Sequence, residues 1–469
     1  MGRRGTSERP LRVAVIGSGP AGFYTVQRLL QSKDLAFEID VIDRLPAPFG
    51  LVRYGVAPDH EKIKNVIAVY DRLARDPRVR FYGGVEFGAT IRLGDLARHY
   101  DQAVFCTGAQ TDRRLGIPGE DLAGSHAATD FVAWYNGHPD YADRRFDLAC
   151  DAAVVIGVGN VAVDVARILC RTPDELATTD IADDALAALR GSRVRSVHLV
   201  GRRGPAQAAF TRPEVEELGE LPDAETSTVA AEVALDEATH RALGATPDKG
   251  TLRKIDILQG YAGRREPEKG RRLAIRFLLS PVEIVSGPRG EVSAVRLVRN
   301  RLEIDAAGGV RAVPTGETET LAAGLVFRSV GYRGVALCDL PFDERRGTIP
   351  HEQGRIHDAE RRVLTGLYVA GWIKRGPNGV IGTNKPDATE TVERMIEDVL
   401  ADRLLQPSAP TRSEFEATLG DRGARFVTYA DWQRLDALEI EAGRSEGRPR
   451  RKLVRHEEFR RALSDSPPR

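Results

Sequence analysis

The sequence predicts a doubly wound α/β protein with two dinucleotide-binding (Rossmann-like) domains, one assembled from both chain ends and the other inserted into it. Three observations carry this. Glycine fingerprints recur at Gly17 and Gly157, 140 residues apart (157 minus 17), each directly after an apolar run. Apolar strands alternate with helical stretches through most of the chain, the pattern of a parallel sheet with helices on its faces. Two strand-then-glycine endings, Ala103-Val-Phe-Cys-Thr-Gly108 and Leu325-Val-Phe-Arg-Ser-Val-Gly331, bracket the middle. These brackets predict residues 1–111 and 335–469 as the two parts of one domain and 112–334 as the insertion.

The first fingerprint reads Val13-Ala-Val-Ile-Gly17-Ser-Gly19-Pro20-Ala21-Gly22. A buried strand, a tight turn and a helix start follow one another, and the glycines let backbone N–H groups approach a pyrophosphate. Asp43 closes the next strand. An acid there accepts hydrogen bonds from a ribose 2′-hydroxyl, so this unit suits FAD or NAD. The second fingerprint reads Val154-Val-Ile-Gly157-Val-Gly159-Asn160-Val161-Ala162, and its next strand, Val197-His-Leu-Val200, ends in Gly201-Arg202-Arg203. Arginine accommodates a 2′-phosphate, so this unit suits NADP. A polar, helix-compatible insertion, Thr172 to Ser192, accounts for the long interval before that strand. One such glycine pattern alone also fits an ordinary turn. Two of them, each flanked by a strand and each followed by a chemically sensible partner, imply hydride transfer between nicotinamide and flavin.

The remaining elements follow in order. Pro46 to His60 is too rich in Pro and Gly for a helix and reads as a functional loop; Glu61 to Ala74 has helical periodicity; Val79 to Tyr82 is a short strand. Gly366-Leu-Tyr-Val-Ala-Gly371-Trp372 begins a further strand, and Gly376-Pro-Asn-Gly379-Val380-Ile381-Gly382-Thr383 leads to a helix near Asp387, predicting a third approach of backbone to a ligand. From Gly443 to Arg469 nine Arg and Lys face four acids, which reads as a solvated, partly helical tail.

At 469 residues the chain exceeds what one core usually supports. Lys+Arg and Asp+Glu are both 68, so no global field favours nucleic acid or an acidic membrane. The four cysteines, at 106, 150, 170 and 338, form no C-x-x-C pair and have no metal-ligand spacing, which argues against a disulfide reductase and a zinc site. Cys106 in its apolar run reads as a small buried hydrophobe, and free cysteines suit a reducing compartment. No run approaches the ~20 apolar residues of a membrane span, so a cytoplasmic location is expected. Met1-Gly2-Arg-Arg-Gly-Thr6 matches a myristoylation pattern, but so short a match equally reads as a polar arm.

Three longer strings are far more specific than glycine spacing: Pro48-Phe-Gly-Leu51-Val-Arg-Tyr-Gly-Val-Ala-Pro-Asp-His60, Val200-Gly-Arg-Arg-Gly-Pro-Ala-Gln-Ala-Ala-Phe-Thr211, and Gly371 through Thr383. On these, nearly the whole chain resembles the adrenodoxin-reductase type of ferredoxin–NADP reductase, within the glutathione-reductase-like flavoproteins. The resemblance implies that Ala21, Asp43, Leu51 and Val85 touch FAD, with Trp372, Gly379, Val380 and Ile381 near its ring system. It implies that Arg113, Asn160, Val161, Ala162, Val163, Arg202, Arg203 and Glu214 hold NADP, and that His60 and Glu217 lie beside the flavin and nicotinamide as orienting or proton-linked groups. The family often has Glu where Asp43 stands, and the shorter acid still accepts the ribose hydroxyls.

The implied activity is NADPH:ferredoxin oxidoreductase: a hydride passes from NADPH to FAD, then single electrons to a separate ferredoxin-type iron–sulfur protein, since four scattered cysteines cannot hold a cluster. Ferredoxins are typically acidic, so a basic docking face is expected, either Arg253, Lys254, Arg264, Arg265 and Lys269 to Arg272, or the tail around Arg448 to Arg455. The first is favoured, because the resemblance puts docking on the NADP domain. Alternatives are a flavoprotein subunit like the small subunit of glutamate synthase, whose Cys-rich motifs this chain lacks, or an FAD- and NADP-binding redox sensor without turnover. A monooxygenase needs an oxygen-stabilising site that the sequence does not reveal.

Overall fold

A computed structural model describes residues 4–244, 248–264, 269–306 and 308–464. Two sheets organise it. The first has seven strands in the order His351–Glu352, Arg355–His357, Val363–Val369, Gln102–Phe105, Leu11–Ile16, Phe37–Asp43 and Val79–Gly83, so its neighbours come from both chain ends. Every residue of Leu11–Ile16 is buried. Val13 and Val15 join one apolar cluster while Ala14 and Ile16 join another, the period-2 alternation of a parallel strand covered on both faces. The second sheet has six strands, in the order Ser125–Ala127, Leu325–Arg328, Ala152–Ile156, Ser196–Val200, Arg271–Arg276 and Ala224–Thr228. An antiparallel sheet of Leu279–Ser286, Val292–Ile304 and Val310–Ala322 completes this middle lobe.

The two passages between lobes run side by side, Thr111–Asp112 pairing antiparallel with Tyr332–Arg333. Arg328 is buried at this crossing, with its Nε 3.3 Å from both Asp112 and Glu120. Two guided chain crossings, not a single flexible linker, therefore set how the lobes meet.

The structure corrects four expectations. The 46–60 loop contains one helical turn, Leu51–Tyr54. The 61–74 stretch is two helices, Glu61–Lys64 and Ile67–Ala74. The favoured basic segment is largely consumed internally: Lys254 is buried and donates to the Ala208 carbonyl at 2.5 Å, Lys269 donates to Leu221 O at 2.6 Å, and Arg271 pairs with Asp223. Arg265 lies outside the described residues, as do Met1 to Arg3.

The basic tail is packed rather than solvated. Phe459, in the helix His456–Ser464, is 1% exposed in the core of the first sheet. Ahead of it, Arg448 and Arg451 both bind Asp183, at 2.5 and 2.6 Å, and Arg450 bonds the buried Glu439 at 3.1 Å. The same Glu439 takes both terminal nitrogens of buried Arg53, at 2.9 and 2.5 Å. Lys452 reaches Asp180 at 3.1 Å, and Asp180 is shared with Lys64 at 2.6 Å. Burial alone would raise the Asp180 pKa, but the Lys452 and Lys64 ammonium groups together hold it at about 2. A charge-rich segment reads as solvated when its partners, 265–268 residues away in sequence for Arg448 and Arg451, are out of view.

Candidate active site

Both fingerprints open onto one cavity of about 740 Å³, in the upper part of the ~300–1,000 Å³ range of ligand sites. Gly17, Gly19, Pro20 and Ala21 line one side, with Asp43, Leu51, His60 and Val85; Asn160, Val161 and Glu214 line the other, and Trp372, Gly379, Val380 and Ile381 a third. Val380 is 55% exposed at this opening, an apolar side chain facing the space that the resemblance assigns to the flavin ring.

The first turn has the shape a pyrophosphate needs. Gly19 caps the helix Pro20–Leu30 in an extended conformation with no side-chain cap, leaving the first-turn N–H groups for a ligand. Gly22 has no room for a side chain, since a Cβ would fall 2.1 Å from the Gly17 carbonyl oxygen. Asp43 takes the Ser18 N–H and hydroxyl on one oxygen, at 2.8 and 2.6 Å, while still facing the cavity. It thus braces the turn from the cavity wall. Gly22→Ala should cost about 1–3 kcal/mol of local stability, read as purified protein with a reduced flavin-to-protein absorbance ratio. Full flavin content would show that the turn can widen.

The second turn is built alike. Gly159 caps Asn160–Cys170 without a side-chain bond, and a Cβ at Gly157 would sit 2.1 Å from the Ser329 carbonyl oxygen. Asn160 accepts the Thr211 N–H at 2.9 Å, tying this turn to the segment after the arginines. Arg202 and Arg203 follow the strand Ser196–Val200. Neither makes an ion pair among the described residues, and proximity to Arg202, added to burial, lowers the pKa of Arg203. Two adjacent cations without a counter-ion are the donor set a 2′-phosphate fits. Gly22, Arg113, Gly157, Gly159, Ala162, Val163, Arg202, Arg203 and Glu217 do not line the cavity; exposed Arg113 stands at the lobe crossing.

His60 and Glu217 do meet, with Nε2 to Oε2 at 2.8 Å across the lobe boundary. Glu214 and Glu217 share one helix, Arg212–Leu218, spaced to present one face. Burial first, then Asp164, push the Glu214 carboxyl up to about 7. Behind this pair lies fully buried Arg167, which donates to Asp59 at 2.7 and 3.0 Å and to Asp164 at 2.7 Å. Sequence reasoning missed Arg167, Asp59 and Asp164, and also the wall formed by Thr129, Val132, Ala133, His138 and Tyr141. That wall comes from the helix Ala128–Tyr135 and the turn after it, a largely buried apolar segment that carries no ligand motif.

The thiols show no redox pairing. All four cysteines are free, and burial pushes Cys106, at the cavity, up to about 12.

Residues 11–203 match the model of the pyridine nucleotide-disulphide oxidoreductase family. The chain is 48% identical over 456 residues to NADPH-ferredoxin reductase FprA of Mycobacterium tuberculosis, covering 95% of this chain and 97% of that protein. It is 42% identical over 467 residues to human mitochondrial NADPH:adrenodoxin oxidoreductase, covering 98% and 93%. The structure of M. tuberculosis FprA in complex with NADPH superposes with a TM-score of 0.90 at 45% identity, covering 97% of this chain and all of that one. With two dinucleotide turns facing one cavity, and with such similarity to these relatives along nearly the whole chain, the chain belongs to the adrenodoxin-reductase type of NADPH–ferredoxin reductases, a branch of the pyridine nucleotide-disulphide oxidoreductases.

Proposed function

We propose that this protein is an NADPH:ferredoxin oxidoreductase that binds FAD at the Gly17 turn and NADP(H) at the Gly157 turn. The observation that carries this is the single cavity lined by both Gly17–Ala21 and Asn160–Val161, because hydride transfer requires the two rings within contact of each other. When bound, FAD supplies a ring that accepts two electrons as a hydride and returns them one at a time.

The chain's own residues bind, orient and shield. Gly17 to Gly22 hold the FAD pyrophosphate and Asp43 its ribose; Arg202 and Arg203 hold the 2′-phosphate; Leu51, Val85, Val380 and Ile381 give apolar cover. Trp372 packs against Tyr332 with ring centroids 5.4 Å apart, and its indole N–H donates to Asn378 O at 3.1 Å. This closes the ring site from the Gly379 side. His60 and Glu217 orient the nicotinamide edge.

The electron acceptor is a separate iron–sulfur protein of the ferredoxin type, which the names of the relatives favour. Docking is electrostatic and falls on the middle lobe, where Arg253 and Arg272 of the expected basic segment remain exposed and outside any ion pair among the described residues. The free thiols fit a reducing compartment, the cytoplasm.

Anaerobic NADPH should bleach the 450 nm flavin band of the purified protein, and addition of ferredoxin should then support cytochrome c reduction. An unbleached flavin would favour the reading of a nucleotide-binding sensor without turnover. The ferredoxin-dependent rate should fall as salt rises from low to about 0.5 M. A rate indifferent to ionic strength overturns the electrostatic docking.

A further inference from the structure

The inserted lobe reaches the cavity at the end that Asp43 closes. Asp43 and Arg44 of the first lobe line that cavity, and so do His138 and Tyr141 of the middle lobe. Arg44 forms an ion pair with Asp140, which stands between those two residues in the chain. The lobes are therefore joined one residue away from Asp43, and a nucleoside held by that acid comes within side-chain reach of His138.

The His138 ring is committed on one side and open on the other. Its Nδ1 accepts the Asp140 backbone N–H at 3.2 Å, as the cap of the turn Pro139–Tyr141. Burial holds the pKa of the ring down at about 4, so at neutral pH it is uncharged. With Nδ1 accepting, its one proton sits on Nε2. Nε2–H has no hydrogen-bond partner among the described residues. Packing fixes the ring in place, with centroids 4.9 Å from Tyr54 and 5.1 Å from Tyr141. Tyr54 and Tyr141 line the cavity as well. A neutral aromatic ring with a spare donor suits a nucleoside, which offers acceptors on its ring nitrogens and sugar and an aromatic face for packing.

Only one of the two dinucleotides brings its adenosine to this end. The acid that closes a dinucleotide unit takes the ribose beside the adenine, and Asp43 belongs to the Gly17 unit. The Gly157 unit ends instead in Arg202 and Arg203, which do not line the cavity. We propose that His138 binds the adenosine half of FAD, with the Arg44–Asp140 pair holding the middle lobe beside it, so that FAD is gripped by both lobes and not by the first alone. The proposal rests on the reading above that FAD occupies the Gly17 turn.

The test compares FAD with FMN, which lacks the adenosine half. Full-length apoprotein is titrated with each, and binding is followed by quenching of tryptophan fluorescence. His138→Phe keeps a ring between Tyr54 and Tyr141 and removes the N–H. It should weaken FAD about 3–10-fold, the worth of one neutral hydrogen bond, and leave FMN within about twofold. NADP⁺ binding to the reconstituted holoprotein should be unchanged. Arg44→Gln with Asp140→Asn opens the contact between the lobes and should shift the same FAD-to-FMN ratio in the same direction, which supplies a second variant should the first not fold. Equal losses for FAD and FMN would mean that His138 only supports the fold, and would overturn the proposal. So would an unchanged FAD affinity, or a loss confined to NADP⁺. A wild type that binds no FAD overturns the proposed function as well, whereas tight FAD binding that neither variant alters overturns this inference alone.

Discussion

Replacing Arg202 and Arg203 together by Gln should lower kcat/KM for NADPH by about 10²–10⁴-fold, since each charged hydrogen bond to a phosphate contributes roughly 1.5–3 kcal/mol. NADH should be almost unaffected. The asymmetry is the point of the experiment: only the 2′-phosphate distinguishes the two nucleotides, and these two guanidinium groups have no other ionic partner among the described residues. Their mutual repulsion in the free protein also means the double variant should fold normally. Steady-state ferricyanide reduction with each nucleotide measures the ratio; equal losses on both would show that the arginines do not read that phosphate.

Asp180→Asn should destabilise the protein by about 3–5 kcal/mol, because it leaves Lys64 and Lys452 buried without a carboxylate. Their side chains are 9% and 1% exposed, so water cannot take over the charge. The pH dependence has a definite sign. The folded pKa of about 2 lies below the ordinary 3.8, so this contribution is fully present above about pH 4 and is lost as pH falls through 2. Urea unfolding of the holoprotein, followed by far-UV circular dichroism from about pH 1.5 to 8, measures both effects. A loss below about 1 kcal/mol would mean that the ammonium groups find water, or that Lys452, whose pKa burial lowers well below the ordinary lysine value, sheds its proton instead. Because Lys64, four residues beyond His60, belongs to this cluster, the variant should also raise the Michaelis constant for NADPH.

The two predictions differ in what made them visible. Arg202 and Arg203 stand out in the sequence because a strand-final Gly-Arg-Arg replaces the acid that closes the first unit, a contrast spanning a few residues. Asp180 carries no such signal. It lies in a polar insertion that read as helix-compatible filler, and its partners are Lys64 and Lys452, 116 and 272 residues away (180 minus 64, 452 minus 180). The same holds for Arg167, whose helical position four residues before Arg171 looks like an exposed stripe until Asp59 closes over it.

The sequence by itself determined the local chemistry: two dinucleotide turns, an acid after one and arginines after the other, no C-x-x-C pair, and the glycine-rich segments that line the cavity. These are legible because a turn that admits a pyrophosphate and a strand end that reads a ribose depend on backbone conformation over five to thirty residues. Tertiary structure alone decided which charges stay free. It drew the basic tail inward onto Asp183 and Asp180, consumed most of the expected docking segment, and set Arg167 behind His60. Burying a charge costs several kcal/mol unless a partner meets it, and where the chain brings that partner depends on how the whole fold closes.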